Sequence, residues 1–408
     1  MKNICISVAS SRLGLSIGEK FVNEILGLNM EGDYELVGVI HDGNINTAPD
    51  CIVHLLLVAT GGTEHIVAEI AKRSNLLYLL YTDKYNSLPA TVEVLAYLRK
   101  HGFKVLARKL YHVSDLRALL PSLERAVKAY LGIKEGCFGV IGGVSPWLVS
   151  SRVDPEQVEK KRFGKLVYIP IEELYEAFDE ASVDPGEVEN LLRKAHRIDL
   201  ANPTLEVSRS LRVYKAVMKL VEKHKLTGLT LKCFDLISDL GTTGCLAVAL
   251  LNTMGFPAAC EGDVPLLYTM SIGVLATGKP VFMANLADVG DDEVVLAHCT
   301  SYFQEKYSLY THFESNVGVG VRVEYPAGSK ATLFRLTSDL SKLRVGVGDI
   351  VEHDWKPYMC RTQVKLKLRS AHRLIQDSIG NHYAMVLGDH LEDLRVTSIL
   401  LDLDVELL

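Results

Sequence analysis

Two α/β domains built on parallel sheets, followed by a smaller, mostly β C-terminal domain, are the fold class this sequence predicts. Three observations lead there. The first 130 or so residues alternate short apolar runs with amphipathic stretches, a second alternating unit opens near Cys137, and beyond residue 300 strand patterns dominate. A chain of 408 residues also exceeds one ordinary core, which makes two or three domains the expectation. The boundaries are placed at 1–132, 133–300 and 301–408.

In the first domain, strand patterns fall at Asn3–Ala9, Tyr34–Ile40, Cys51–Val58, Leu76–Tyr81 and Phe103–Ala107. Helical spacing fills the gaps at Ile17–Leu26, Glu64–Lys72, Pro89–Lys100 and Val113–Tyr130. This alternation predicts an open parallel sheet with helices on both faces. Ligands gather in such sheets at the loops that follow the strand C-termini, here Ser10–Ser16, Gly61–Glu64 and Asp83–Ser87. The second unit continues from Cys137 with FGVIGGVSPWLVSS, a long helical stretch Thr204–Lys225, a strand at Leu229–Phe234 and a helix after Gly241. In the third, strands are predicted at Val317–Tyr325, Lys330–Thr337, Gln363–Arg369 and His382–Leu387, with helical patterns at Ala371–Ser378 and Asp389–Ile399.

Hydrophobic content of 48% and a net charge of −6 describe a soluble globular protein and give no electrostatic reason to expect nucleic acid. No stretch reaches the roughly 18 uninterrupted apolar residues of a membrane span. The start, MKNICISVA, reads as a strand rather than a signal peptide, so a cytoplasmic location is expected. Eight cysteines stand singly at 5, 51, 137, 233, 245, 260, 299 and 360, and the expectation is reduced, buried thiols rather than disulfides or a zinc site.

Chemistry concentrates between Met254 and Thr300. Asp263, just before a helical pattern, suits a helix cap favoured by the dipole. Glu261 follows an apolar stretch where a lone charge is costly, and a metal or catalytic partner would remove that cost. An apolar strand then carries Asn285, and the next ends in His298-Cys299. A carboxylate, an amide and an imidazole delivered by successive elements are what a divalent metal site requires. His382 opens a strand in the third domain and could complete such a site at a domain interface. Other features have structural readings that suffice. The loop Asp239-Leu-Gly-Thr-Thr-Gly-Cys245 is neither GxGxxG nor a P-loop, so helix capping explains it. Asn86 opens a helix with Pro89 in its first turn, though a loop there could also touch a polyol. His312 and Glu314 fall in a loop expected to face solvent, and Arg361 either binds a substrate oxygen or pairs with an acid.

Taken in order, Ala59-Thr-Gly-Gly-Thr-Glu64, Asn86-Ser-Leu-Pro-Ala-Thr-Val-Glu93, Cys260-Glu-Gly-Asp263, His298-Cys299, Cys360-Arg-Thr-Gln363 and Asn381-His382 resemble the L-fucose/L-arabinose isomerase superfamily. The fucose-isomerase-like branch of archaea and thermophilic bacteria is the nearest in pattern, and the resemblance runs through nearly the whole chain. It implies two α/β domains and a β-rich third, and a homotrimer or homohexamer with active sites between subunits. It also implies a divalent cation, usually Mn²⁺, and proton transfer between C1 and C2 of an open-chain aldose through an ene-diol. By that resemblance Glu261 is metal ligand and acid/base, while His298 and His382 are metal ligands. Where related sequences carry a second acid, this chain has Asn285, which can offer a carbonyl oxygen but takes no proton at neutral pH. Asp288 and Asp263 are the candidate replacements, and Arg12, Asn86 and Arg361 the candidate substrate contacts. The resulting expectation is a metal-dependent aldose–ketose isomerase, the alternative a silent sugar-binding paralogue.

Overall fold

In the computed structural model, which describes residues 1–408, the apolar runs of the first 130 residues become five parallel strands. These are β1 (Lys2–Ala9), β2 (Tyr34–Ile40), β3 (Cys51–Val58), β4 (Ser74–Tyr81) and β5 (Val105–Lys109), in spatial order β2-β1-β3-β4-β5. All of β3 is buried, as a strand covered on both faces must be. Helices α1 (Leu15–Leu26), α2 (Glu64–Ala71), α3 (Ser87–Lys100) and α4 (Leu116–Glu135) make the crossovers. Ile66, Val67 and Ile70 of α2 and Ala90, Val94 and Leu98 of α3 pack into one apolar cluster with Leu56, Val58, Leu77 and Leu79 of the sheet. Residues 1–130 with 399–401 form one compact unit, and residues 131–398 with 402–408 a second.

The three predicted ligand loops of the first unit do converge. Ser11, Gly14, Thr60, Gly61, Glu64, Tyr85 and Asn86 line one cavity of about 660 Å³ beyond the strand C-termini. One expectation fails here: Cys5 and Cys51 form a disulfide. They sit on neighbouring parallel strands with Cα atoms 6.0 Å apart, a separation that suits the bond. Nothing in two single cysteines 46 residues apart reveals that adjacency.

The second unit holds three sheets. Strands β6 (Cys137–Ile141), β7 (Lys165–Ile169), β9 (Gly228–Leu231) and β10 (Ala258–Cys260) are parallel, in order β10-β9-β6-β7. Strands β8 (Arg197–Asp199), β13 (Tyr307–Tyr310) and β14 (Gly320–Val323) form a small mixed sheet. The rest is a closed antiparallel barrel of β11 (Phe282–Val289), β12 (Glu293–His298), β15 (Lys330–Leu336), β16 (Lys342–Val351), β17 (Thr362–Lys367) and β18 (His382–Leu387). Its ring order is β15-β18-β11-β12-β17-β16 and back to β15, with β19 (Asp404–Leu407) added parallel to β16. Barrel strands therefore lie on both sides of residue 300, where the sequence placed a boundary. Strand β16 carries no clear sequence signal because Gly346 and Gly348 dilute its alternation.

Helices α5 (Pro155–Lys161), α6 (Ile171–Glu180), α7 (Pro185–Lys194), α8 (Pro203–His224), α9 (Asp235–Leu240), α10 (Cys245–Thr253) and α11 (Val264–Thr277) intervene, and α12 (Arg373–Gln376) and α13 (Leu391–Leu400) follow. Of these, α11 positions the site. It is buried everywhere except Val274 and Leu275, the signature of a helix packed all round. It touches β9 and β10 of the parallel sheet and β15 and β18 of the barrel. Its N-terminus is thereby held where the two sheets approach each other.

Candidate functional site

The chain enters α11 through an unusual turn. Glu261 has φ +63° and Gly262 φ +75°, two successive left-handed residues. For glutamate this conformation costs about 1 kcal/mol or more. Gly262 admits no other residue, because a Cβ there would lie 2.2 Å from the carbonyl oxygen of Gly143. The Gly142-Gly143 loop after β6 thus fits into the turn, and the Ser145 N–H donates to the Glu261 carbonyl at 3.0 Å. Two residues on, the Trp147 indole N–H donates to Glu261 Oε2 at 2.8 Å. The other oxygen, Oε1, faces two imidazoles: His382 Nε2 at 3.5 Å and His298 Nε2 at 3.8 Å.

Those histidines come from the barrel. His382 begins β18, Asn285 on β11 pairs with it, and His298 ends β12 on the far side of β11. One ligand atom each from Glu261, His298 and His382 lies within 4.8 Å of the other two. Both rings are fixed from behind. His298 Nδ1 is hydrogen-bonded to Thr300 Oγ1 at 2.8 Å, and His382 Nδ1 donates to Asp263 Oδ2 at 2.9 Å. His382 Nε2 is buried without a hydrogen-bond partner. An imidazole whose far nitrogen is held by a carboxylate, presenting its near nitrogen to an acidic cluster, is how proteins prepare a metal ligand.

Behind the rings lies a sealed ion pair. Asp263 and Arg335 are both 0% exposed and meet at 3.3 Å, Nη1 to Oδ2. Ser151 Oγ donates to Asp263 at 3.0 Å and accepts from Arg335 Nη2 at 3.1 Å, while Arg335 also donates to the His382 carbonyl. Gly380 makes room, since a Cβ there would lie 2.4 Å from Arg335 Nη2. Asp263 Oδ1 meanwhile caps α11 by accepting from the Leu266 N–H at 2.9 Å.

The charges follow this geometry. Burial alone would raise the Asp263 carboxyl, but the Arg335 charge and His382 outweigh it and bring it down to about 2. Burial likewise opposes ionisation of Glu261, yet the nearby imidazoles of His298 and His382 hold it well below the carboxylate range. His382 is disfavoured as a cation by burial but lifted by Asp263 and Glu261 to about 9. His298 is lowered, chiefly by burial.

The cluster opens onto a cavity of about 510 Å³. Its wall is soft and aromatic: Cys233, Cys245, Cys260, Cys299, Cys360 and Met359, with Trp147, Phe234, Phe313 and Tyr358. The Cys233 and Cys260 sulfurs are 2.7 Å apart. Polar groups reach it from Glu261, Asn285, His298, His312 and Glu314, and no Lys or Arg lines it.

The remaining candidates sit elsewhere or serve otherwise. Asn285 lines the cavity, but its Oδ1 already accepts from Asn381 Nδ2 at 2.6 Å. Asp288 follows a register shift on β11, is exposed and does not line the cavity. Asp263 is enclosed behind His382 and is likewise absent from the lining. Arg361 is buried and spends its guanidinium on Thr311, Nε to the carbonyl at 2.7 Å and Nη2 to Oγ1 at 3.3 Å. Arg12 and Asn86 belong to the first unit, Asn86 in its cavity and Arg12 exposed beside Asp42. Trp147 was not singled out in the sequence; His312, expected to face solvent, is buried, whereas Glu314 is exposed as expected, and all of them line the cavity. The alternation of His312 and Glu314, directly after a strand, was the available signal.

Fold and cluster together define an α/β protein with a closed β-barrel and a buried carboxylate–imidazole centre opening on one cavity. No protein-family model matches the chain. Over 214 residues it is 26% identical to a sulfoquinovose isomerase from Clostridium sp. (strain MSTE9), a match covering 48% of this chain and 47% of that protein. The chain thus spans about half the length of the curated relative it matches, and over that half it is similar to a sugar isomerase.

Proposed function

We propose that this chain is a metal-dependent aldose–ketose isomerase of the fucose/arabinose isomerase type, acting on an open-chain, unphosphorylated sugar. The observation that carries the reading is His382 Nε2, buried, unpartnered and 3.5 Å from Glu261 Oε1, with His298 completing the cluster. Two imidazoles and a carboxylate suit a divalent first-row cation, Mn²⁺ being the first candidate. The residues fit such an ion: Glu261, His298 and His382 would hold it, and Asp263 and Thr300 orient the rings. When bound, the cation supplies electrostatic stabilisation of negative charge developing on the sugar oxygens.

The chain's own groups do the rest. Trp147 holds Glu261 Oε2 and leaves Oε1 for the centre. Phe234 and Trp147, at 5.0 Å and nearly perpendicular, give the cavity an apolar wall for the sugar carbons. Glu261 is one carboxylate placed to carry a proton. A wall without Lys or Arg favours a neutral sugar over a sulfonated one. Asn285 favours a second reading, a sugar-binding paralogue that keeps the centre without turnover. We carry over from the resemblance a homotrimer or homohexamer, which light scattering measures.

The deciding experiment incubates purified protein and Mn²⁺ with a panel of aldoses, L-fucose, L-arabinose and sulfoquinovose included, and measures ketose. Turnover of a neutral aldose is expected. No turnover on any sugar, together with unchanged metal binding in Glu261→Gln, sinks the isomerase reading.

A further inference from the structure

Isomerisation through an ene-diol needs a group that takes the C2 proton and returns it at C1. Both oxygens of Glu261 are already engaged, Oε2 by the Trp147 indole N–H and Oε1 by the cluster it forms with His298 and His382, so a second carboxylate is needed. Asn285 cannot help, Asp263 is sealed, and Asp288 points elsewhere. One other carboxylate lines the cavity. It belongs to Glu314, on the connection between β13 and β14.

That connection is built rather than loose. Arg361 grips Thr311 at its start. The His312 N–H donates to the Val317 carbonyl at 3.2 Å, and the Asn316 N–H returns to the His312 carbonyl at 2.9 Å. Ser315 Oγ is hydrogen-bonded to His312 Nδ1 at 3.2 Å, so the ring presents Nε2 to the cavity. Its plane stands perpendicular to Phe234, centroids 5.6 Å apart. The loop backbone and the His312 ring are thereby held, and Glu314, two residues on, lines the same cavity as Glu261.

We propose that Glu314 is the second proton-transfer group of this centre and that His312 hydrogen-bonds a sugar oxygen beside it. The assignment rests on the isomerase reading. Glu314 takes the proton from C2, the C–H electron pair becomes the C1=C2 bond of the ene-diol, and the carbonyl pair moves to O1. The O2–H proton then passes to O1, the electron pair it leaves on O2 forms the C2 carbonyl, and the C1=C2 pair takes back at C1 the proton held by Glu314. The O1 oxygen ends as a hydroxyl, so atoms and electrons balance without a co-reactant. Consistent with this duty, partial desolvation against the cavity wall and the Glu261 charge both raise the Glu314 carboxyl above the usual glutamate value. Burial, together with the nearby His298 and Arg361, keeps His312 neutral, with its value lowered to about 4.

The test uses the full-length holoprotein and the aldose that wild type turns over fastest, in D₂O. Glu314→Gln is expected to lower kcat by about 100-fold or more and to abolish deuterium uptake at C1. KM, Mn²⁺ binding and binding of the matching sugar alcohol should stay within about threefold, and Glu314→Asp should recover part of kcat. Glu314 is exposed enough that these variants are expected to fold. Retention of kcat within about threefold in Glu314→Gln overturns the assignment while leaving the isomerase reading intact. Parallel loss of metal and sugar-alcohol binding also overturns it, by showing a structural role. A wild type inactive on every aldose overturns the isomerase reading and this assignment with it.

Discussion

Asp263 Oδ2 accepts a hydrogen bond from His382 Nδ1 at 2.9 Å across 119 residues of sequence, while its Oδ1 caps helix α11. One carboxylate therefore ties the parallel-sheet layer to the barrel and sets which nitrogen His382 turns toward Glu261. Asp263→Asn keeps a cap acceptor but loses the charge that orients the ring. A loss of about 10–100-fold in Mn²⁺ affinity is expected, measured by calorimetric titration. Asp263→Ala, which strands the buried Arg335, should cost about 3–5 kcal/mol in denaturant unfolding. Unchanged metal binding in Asp263→Asn would show that the pair serves the fold alone.

Asn285 tests the division of labour at the centre. Asn285→Asp places a carboxylate near Glu261, His298 and His382, where it can still accept from Asn381. Tighter Mn²⁺ binding is expected, with kcat changing by no more than about threefold because proton transfer already has its second group. A gain of several decades in kcat would show instead that the natural chain lacks a catalytic acid.

Trp147 offers an optical readout. Only two tryptophans are present, and the Trp147 indole is bonded directly to Glu261. Mn²⁺ binding should quench tryptophan emission in the wild type and leave Trp147→Phe largely unaffected. The same variant removes one hydrogen bond to a carboxylate, a loss of about 1.5–3 kcal/mol in favour of the anion, so the Glu261 carboxyl should rise. Equal quenching in both proteins would place the ion away from Glu261.

In the first unit, His54 is fully buried, and burial lowers it from 6.5 to about 4. The unfolded chain then binds a proton between those values that the folded chain refuses. Stability is therefore complete above pH 6.5 and declines as the pH falls toward 4, by up to about 3 kcal/mol. Thermal unfolding at stepped pH should show this loss, and His54→Gln should flatten it. An unchanged acid slope in His54→Gln would assign the loss to other groups.

Much of the fold was legible because its signals are local. The run Cys51–Val58, apolar but for His54, reads as a strand of a sheet covered on both faces, and a helical pattern follows Asp263. Asp263 was readable as a cap from its position alone. Strand β16 was not, because its glycines erase the alternation. Within the site, Glu261 drew notice as a charge in apolar surroundings. His298 and His382 entered through resemblance, and only the pairing of β18, β11 and β12 brings them to Glu261.

The sequence by itself determined the alternation of strands and helices, the change to strand-dominated structure late in the chain, and the residue types available for chemistry. The tertiary structure alone decided their partners. It closed six strands into a barrel, joined Cys5 to Cys51, set the Arg361 guanidinium against Thr311, and buried His312 on the cavity wall. The reason is range. Periodicity reports which face of an element is buried within a few residues, whereas a partner 119 residues away, such as Asp263 for His382, is chosen by how sheets and helices pack.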